Sequence, residues 1–344
     1  MSTAVVNRKQ AKADGTDPQA LKAKEFRREV RKDKFKKVML GSAEKRGLLM
    51  SIVVYVLLIT IAFIYLYPML YMFTRSLMSR NDLLDASAKW LPSEITGKNY
   101  QDAILTLDYW NSLWKNLVLA IVPTICQVFI CSMVGYGFAR YDFPLKKFWM
   151  GVLLLAFLLP TQVTSLPNYL TFSRLKLADG TVKPFLITAL LGQGIKSVLC
   201  ILIFYNFHRQ TPQSLVEAAE IDGAGHFKAY WRIAVPLCTA AIVVVTLFSF
   251  VWYWNETTLV REYLGYGHTR AKGLTTLMIE LQKFEDSYNT TFDARAASVT
   301  SSNKINDAIR MAGTMLAIAP LLILYFVLQK QFVESVDRAG ITGE

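Results

Sequence analysis

Long apolar stretches without charge alternate with shorter polar connections along this chain of 344 residues. Uncharged runs cover Gly47–Thr74, Asn116–Ala139, Phe148–Ser173, Ile233–Asn255 and Met311–Gln329, and a sixth, Pro184–Phe207, is interrupted only by Lys196. A bilayer core of about 30 Å takes about 20 helical residues, and each run is close to or above that length. Backbone groups in lipid must bond within their own segment, so the runs predict helices rather than open strands. The pattern therefore predicts an all-α membrane protein with six transmembrane helices. Its organisation is a tail over residues 1–46, a transmembrane domain over 47–335 and a short C-terminal tail over 336–344.

Several runs carry breakers. Pro160 and Pro167 predict a kink or break in the third, because proline lacks the N–H that a helix interior uses. The fourth contains Gly192-Gln193-Gly194 and Lys196, and the fifth closes on Trp252-Tyr253-Trp254-Asn255. The connection over residues 208–236 is polar but patterned. Thr211-Pro212 predicts a helix start, a side-chain cap followed by proline in the first turn. Gly223 predicts its end, since glycine tolerates the left-handed conformation. A second short helix, His226 to Arg232, then leads to Pro236. The expectation is a stiff helix-turn-helix knuckle fixed at both ends to membrane spans. In the loop after the first run, Tyr109, Trp110 and Trp114 suit a membrane interface.

Charge refines the picture. The net charge of +12 is concentrated, with fourteen Lys and Arg against six acids in residues 1–46. The segments 75–115 and 256–310 are balanced, five against five and seven against seven. A basic tail beside the first span is the signature of a cytosolic N-terminus, and six spans return the C-terminus to the same side. This distribution argues for a lipid bilayer as partner and against nucleic acid. The first run is too long and too far from the start to be a cleaved signal. Cys126, Cys131, Cys200 and Cys238 all lie in apolar runs and read as packing residues, and the three histidines form no zinc motif. No G-x-x-x-x-G-K-[ST] phosphate loop occurs in the sequence, so this chain is not expected to hydrolyse ATP. The spans hold no paired acids or nucleophile constellation, which argues against a membrane enzyme. An inverted-repeat carrier is disfavoured because no internal repeat is visible.

The knuckle reads Glu217-Ala218-Ala219, three residues, Gly223, then Ile233 and Val235-Pro236. This resembles the EAA loop of the membrane subunits of ATP-binding cassette (ABC) importers, with I-x-V-P where that family usually has I-x-L-P. Other blocks resemble the carbohydrate branch of those permeases, especially the second permease of maltose-type systems. They are Asn99-Tyr100, Asn111-Ser112-Leu113, the stretch from Gly135 to Pro144, Leu159-Pro160-Thr161-Gln162 with Leu166-Pro167, and Trp254-Asn255. The C-terminus departs from the glycine-rich, V-K-G ending common there. The resemblance implies a type I ABC importer permease in a bacterial cytoplasmic membrane, working with a second permease, two ATPase subunits and an extracytoplasmic solute-binding protein. It implies no cofactor on this chain, with ATP and Mg on the ATPase. Coupling to the ATPase would involve Glu217, Ala218, Ala219, Asp222, Gly223, Ile233 and Pro236. The substrate pathway would involve Gln193, Lys196, Tyr253, Trp254 and Asn255. Sugars or oligosaccharides are the expected solutes. Amino acids, polyamines or phosphorus compounds remain the alternative, because the EAA loop is shared across the family. A membrane subunit without coupling is the remaining reading.

Overall fold

The computed structural model describes residues 47–85, 90–264 except Asp222, 275–293 and 305–341, with a few isolated positions before residue 47. Residues 332–341 are described by backbone alone. The chain divides into two compact units, Met1–Tyr71 and Met72–Glu344. The expected basic tail over 1–46 falls almost wholly outside the described residues. Its described part includes a two-residue antiparallel pair, Gly41–Ser42 with Lys45–Arg46.

The rest is helical. Helix α1, Leu48–Ser76, contains Pro68 and crosses the boundary between the two units. Its Ser51 and Thr60 hydroxyls donate to the carbonyls of Gly47 and Val56 four residues back, so these polar groups are satisfied within the helix. In the second unit Asn99 holds the end of α1. Its Nδ2 donates to the Ser76 carbonyl at 2.9 Å and the Met78 carbonyl at 2.8 Å, and Tyr100 Oη lies 2.7 Å from Ser76 Oγ. The first is a carbonyl that a helix end leaves unpaired, and the second lies two residues past that end. Asn99→Ala strands them, and we expect a loss of about 1–3 kcal/mol, read as a lower midpoint in thermal unfolding in detergent. Helix α2, Arg80–Leu84, opens with a reciprocal capping box between Ser79 and Asp82. Hydrogen bonds from Ser93 and Ser79 hold the Asp82 carboxyl below its ordinary range.

After α3, Lys98–Thr106, comes α4, Tyr109–Arg140, the axis of this unit. Its buried stripe includes Ser112, Asn116, Ala120, Thr124, Gln127, Cys131 and Gly135. Small and polar residues at such spacing are what spanning helices use to approach one another. A Cβ on Gly135 would lie 2.7 Å from the Phe204 Cβ of the neighbouring helix. Helices α5, Lys146–Leu158, and α6, Thr161–Arg174, form a sharply bent pair that breaks at Pro160, as the sequence predicts; Pro167 lies within α6. The fourth run is two helices, α7, Lys183–Leu190, and α8, Ser197–Gln210. Helix α9, Gln213–Ile221, and α10, His226–Ala229, make the knuckle.

The second knuckle helix departs from expectation. It does not stop near Arg232 but continues as a π turn over Tyr230–Ala234 into α11, Val235–Leu237. Pro236 cannot donate and crowds the carbonyl four residues back, and a widened turn relieves that crowding. The chain then bends by 78° at Cys238 into α12, Thr239–Trp254. Three short helices follow, α13 (Thr258–Leu264), α14 (Leu277–Gln282) and α15 (Phe284–Asp293). The last helix, α16, Asp307–Ile341, runs past the expected boundary at 335.

Among the described residues three helices are long and apolar enough to cross a membrane, or up to five if each bent pair is one span. The count of six expected from the apolar runs is not reached on this measure. The fourth run is split between α7 and α8 by six residues that contain two left-handed positions, Gly192 and Lys196. The core lies where α4, α7, α12 and α16 meet α3 and the short helices, with Phe185, Phe250, Tyr253, Trp254 and Leu277 at its centre. A second cluster, of α4, α8 and α12 residues together with Cys238 at the bend before α12, contains Cys131, Cys200 and Cys238, all fully buried. The four cysteines are free thiols.

Candidate functional site

Two features of the second unit carry chemistry or mechanics, the knuckle and the break between α7 and α8. At the knuckle, the Arg140 guanidinium at the end of α4 donates to the Thr211 carbonyl at 2.6 Å. The Thr211 hydroxyl donates back to the Phe207 carbonyl at 3.2 Å, in the last turn of α8. The side chain read as the cap of α9 is thus spent on the helix before it. At the other end Gly223 takes φ +79. The Ala224 N–H closes on the Ala219 carbonyl at 2.9 Å, the six-to-one bond of a Schellman closure.

The knuckle presents one face outward. Val216 is buried, whereas Leu215, Ile221 and Phe227 are exposed, Ile221 by 86%. Glu217 and Ala218 are exposed, Ala219 is half-buried and Gly223 is exposed. Ile233 lies half-buried in the π turn, and Pro236 is exposed in α11. Asp222 lies outside the described residues. Exposed apolar side chains on a short polar connection form a surface suited to a protein partner.

Behind the knuckle an aromatic relay reaches into the spans. The His226 ring meets Tyr141 edge-on at 5.6 Å, and Tyr141 meets Tyr136 at 5.8 Å. Tyr136 on α4 then contacts His208 at 5.2 Å and Tyr230 at 5.1 Å. Tyr230 donates to Ser132 Oγ at 3.0 Å, and His208 Nδ1 lies 3.1 Å from Cys238 Sγ. A push on α10 therefore meets rings packed edge to face rather than loose packing. We expect Tyr230→Phe to leave the Ser132 hydroxyl without this donor and to cost about 1 kcal/mol. Amide exchange in the π turn would then speed up several-fold.

The break between α7 and α8 is held from inside. The Tyr253 hydroxyl donates to Gln127 Oε1 at 2.7 Å and accepts from the Ile195 N–H at 3.4 Å. Gln127 Nε2 donates to the Ile195 carbonyl at 2.9 Å and to Ser249 Oγ at 3.2 Å, with Cys200 Sγ beside them at 3.3 Å. Gln127 and Tyr253 are both fully buried, and between them they satisfy both backbone groups of Ile195. Irregular backbone at membrane depth survives where protein supplies the missing hydrogen bonds. The clamp leaves no space at Gly194, where a Cβ would lie 2.4 Å from Gln127 Oε1 and 2.5 Å from Tyr253 Oη.

The structure separates the five pathway residues named from sequence. Tyr253 and Trp254 have no exposure. Gln193, Lys196 and Asn255 are exposed. The Lys196 ammonium sits 4.8 Å from the centroid of the Trp252 ring, and Asn255 Nδ2 donates to the Val251 carbonyl at 2.9 Å. Outside the spans, Asp179 accepts from Lys183 at 2.7 Å and from Thr181 at 2.6 Å, which holds its carboxyl down to about 2. Burial pushes the Glu256 carboxyl up although Leu259 N–H donates to it.

Sequence reasoning missed Gln127, Arg140, Tyr136 and Tyr230. A signal for the first was present: glutamine inside an uncharged span is costly unless paired, so it marks a site. Tyr136 and Tyr141 lie in the block from Gly135 to Pro144 that carries the resemblance, but no local pattern shows that they meet His208, His226 and Tyr230.

Comparison with known proteins gives a family and a fold. A family model described as "Binding-protein-dependent transport system inner membrane component" matches residues 127–338. The osmoprotective compounds uptake permease protein GgtD of Synechocystis is 27% identical over 299 residues, covering 84% of this chain and 91% of that protein. The maltodextrin transport system permease protein MalD of Streptococcus pneumoniae is 27% identical over 301 residues, covering 87% and 98%. A chain from the crystal structure of a bacterial ABC transporter involved in the import of the acidic polysaccharide alginate has the same fold. Its TM-score is 0.68 at 21% identity, covering 83% of this chain and 96% of that one. The matched segment takes in the knuckle, the clamp and the break, and the chain belongs to the family of binding-protein-dependent transport inner membrane components.

Proposed function

We propose that this chain is a permease subunit of an ATP-driven sugar or oligosaccharide importer in a bacterial cytoplasmic membrane. The observation that carries the coupling reading is the knuckle. It is a short, closed helix-turn-helix that presents Leu215, Ile221 and Phe227 outward and is backed by rings that run into α4 and α8. The solute class is supported by relatives that include maltodextrin, arabinooligosaccharide and melibiose/raffinose/stachyose permeases. In this reading α7 and α8 are two halves of one broken span. The membrane is then crossed six times, with both termini and the knuckle in the cytosol. A second permease completes the central cavity, two ATPase subunits bind ATP and Mg, and an extracytoplasmic protein delivers the solute.

The roles follow from position. Ala218 and Ala219 keep the outward face of α9 small, so a partner helix approaches closely. Gly223 sets the turn, Glu217 orients or pairs across the contact, and Asp222 lies beside it in sequence. Ile233 and Pro236 carry the motion through the π turn into α12. Nucleotide closure on the ATPase favours one position of the knuckle over another, and that difference is the coupling free energy. The exposed residues at the break, Gln193, Lys196 and Asn255, line the solute path, and Tyr253 and Trp254 hold it in shape from behind.

The test is uptake of labelled oligosaccharides in a strain lacking this gene, with and without its restoration. Restored, ATP-dependent sugar uptake is the expected result. Restoration of amino acid or polyamine uptake alone would sink the solute assignment.

A further inference from the structure

Within the spans Lys196 stands apart. It interrupts an otherwise uncharged run and adopts φ +52, a left-handed conformation that a non-glycine residue takes only when its surroundings impose it. Those surroundings are the Gln127–Tyr253 clamp on the adjoining Ile195. At 1.5 Å per residue α8 carries the chain about 21 Å from Lys196 to Gln210, and α12 places Trp252 about 20 Å from Thr239. From the level of Gln127, α4 continues about 27 Å the other way to Tyr109. The ammonium thus lies within the thickness of the bilayer. There a charge facing lipid is expensive, so this exposed face of α8 and α12 borders water or protein rather than acyl chains.

Among the described residues the ammonium has an indole beside it but no acid. Among the described residues, no carboxylate lies within ion-pairing distance of Lys196. The acids nearest it and Trp252 in sequence are otherwise engaged, Asp179 with Lys183 and Thr181, and Glu256 with the Leu259 N–H. Trp252 stacks on Phe248 at 5.7 Å, so its ring is held in place while the side chain stays partly exposed. A cation with no carboxylate partner among the described residues favours an anion in a low-dielectric site, and the rim of the indole that it covers suits the apolar side of a sugar ring. Exposed Asn255 follows three residues after Trp252 and exposed Gln193 lies three before Lys196, both able to take hydroxyls.

We propose that Lys196 and Trp252 form a subsite for a saccharide bearing a carboxylate, a uronic acid unit, with the carboxylate on the ammonium and the sugar ring against the rim of the indole. This rests on the reading of the chain as a sugar permease and narrows it. The experiment uses the whole importer, with both permeases, the ATPase and the binding protein, in proteoliposomes. Uptake is compared for digalacturonate, dimannuronate and diglucuronate, each against its neutral counterpart reduced at C6. Wild type is expected to carry at least one acidic member better than its neutral partner. Lys196→Met is expected to lower acidic uptake at least about tenfold more than neutral uptake, with Lys196→Arg restoring the acidic preference. Equal effects of Lys196→Met on acidic and neutral sugars, or a wild type that carries only neutral ones, would overturn the subsite and leave the sugar permease standing. Loss of co-purification with the second permease would overturn it in favour of an ion pair between subunits. Failure to carry any sugar would overturn both readings.

Discussion

Gly223→Pro should abolish ATP-driven uptake while the protein still inserts and assembles. Proline fixes φ near about −65°, and this turn needs φ +79. Substitution therefore opens the closure between Ala224 N–H and Ala219 carbonyl and re-aims α10 relative to α9. No span residue is touched, and an added side-chain atom at Gly223 would meet nothing within 4 Å. The damage is thus confined to the direction of the knuckle. Ala218→Trp should give the same phenotype by a different route, filling the exposed face without altering the turn. Coupling energies of about 1–3 kcal/mol correspond to factors of about 5–150, so uptake should fall by at least about tenfold. Uptake per assembled complex is the measurement, with ATPase rate read alongside it. ATP hydrolysis that continues without uptake marks uncoupling, and unimpaired uptake in both variants would remove the knuckle from the mechanism.

Gln127→Leu should be the most damaging single change inside the spans. One glutamine here serves the Tyr253 hydroxyl, the Ile195 carbonyl and the Ser249 hydroxyl in a dry site. Leucine has a similar volume, so little cavity forms, but the partners are left without their mate. Each such group costs about 1–3 kcal/mol, and together they approach the stability of an ordinary domain. The expected result is a large fall in thermal midpoint and in yield of assembled complex. Tyr253→Phe removes only one hydroxyl and should be milder, by at least half. Equal stability of Gln127→Leu and wild type would mean that the break needs no clamp. Gly194→Ala tests the same point from the other side, because its new Cβ falls within 2.4 Å of Gln127 Oε1.

The positions of most helices were legible in the apolar runs because bilayer thickness dictates their length. Breaks were legible where a residue type forces them, at Pro160, Gly192 and Gly223. The count of continuous crossings was not, since the fourth run looks unbroken in hydropathy while its backbone turns twice through the left-handed region. The π turn before Pro236 was hidden for a similar reason: local rules forbid a regular helix there but do not say how the chain relaxes. At the candidate site, the EAA pattern pointed directly to the knuckle. The exposed Lys196 could be picked out as a charge in a span, but its partner Trp252 could not, because the pairing depends on the crossing of α8 and α12. Gln127 acts through contacts 68 and 126 residues away, and no local pattern encodes such distances.

The proposed function depends on one transfer of work, from a separate ATPase through the knuckle to the spans. It is tested most directly by reconstituting this chain with its second permease in liposomes, then adding the ATPase subunits, ATP and the solute-binding protein. Accumulation of labelled sugar against its gradient should require the ATPase and ATP, and should vanish with Gly223→Pro while ATP hydrolysis persists. Accumulation by the two permeases alone, or full accumulation with the Gly223→Pro variant, would contradict it.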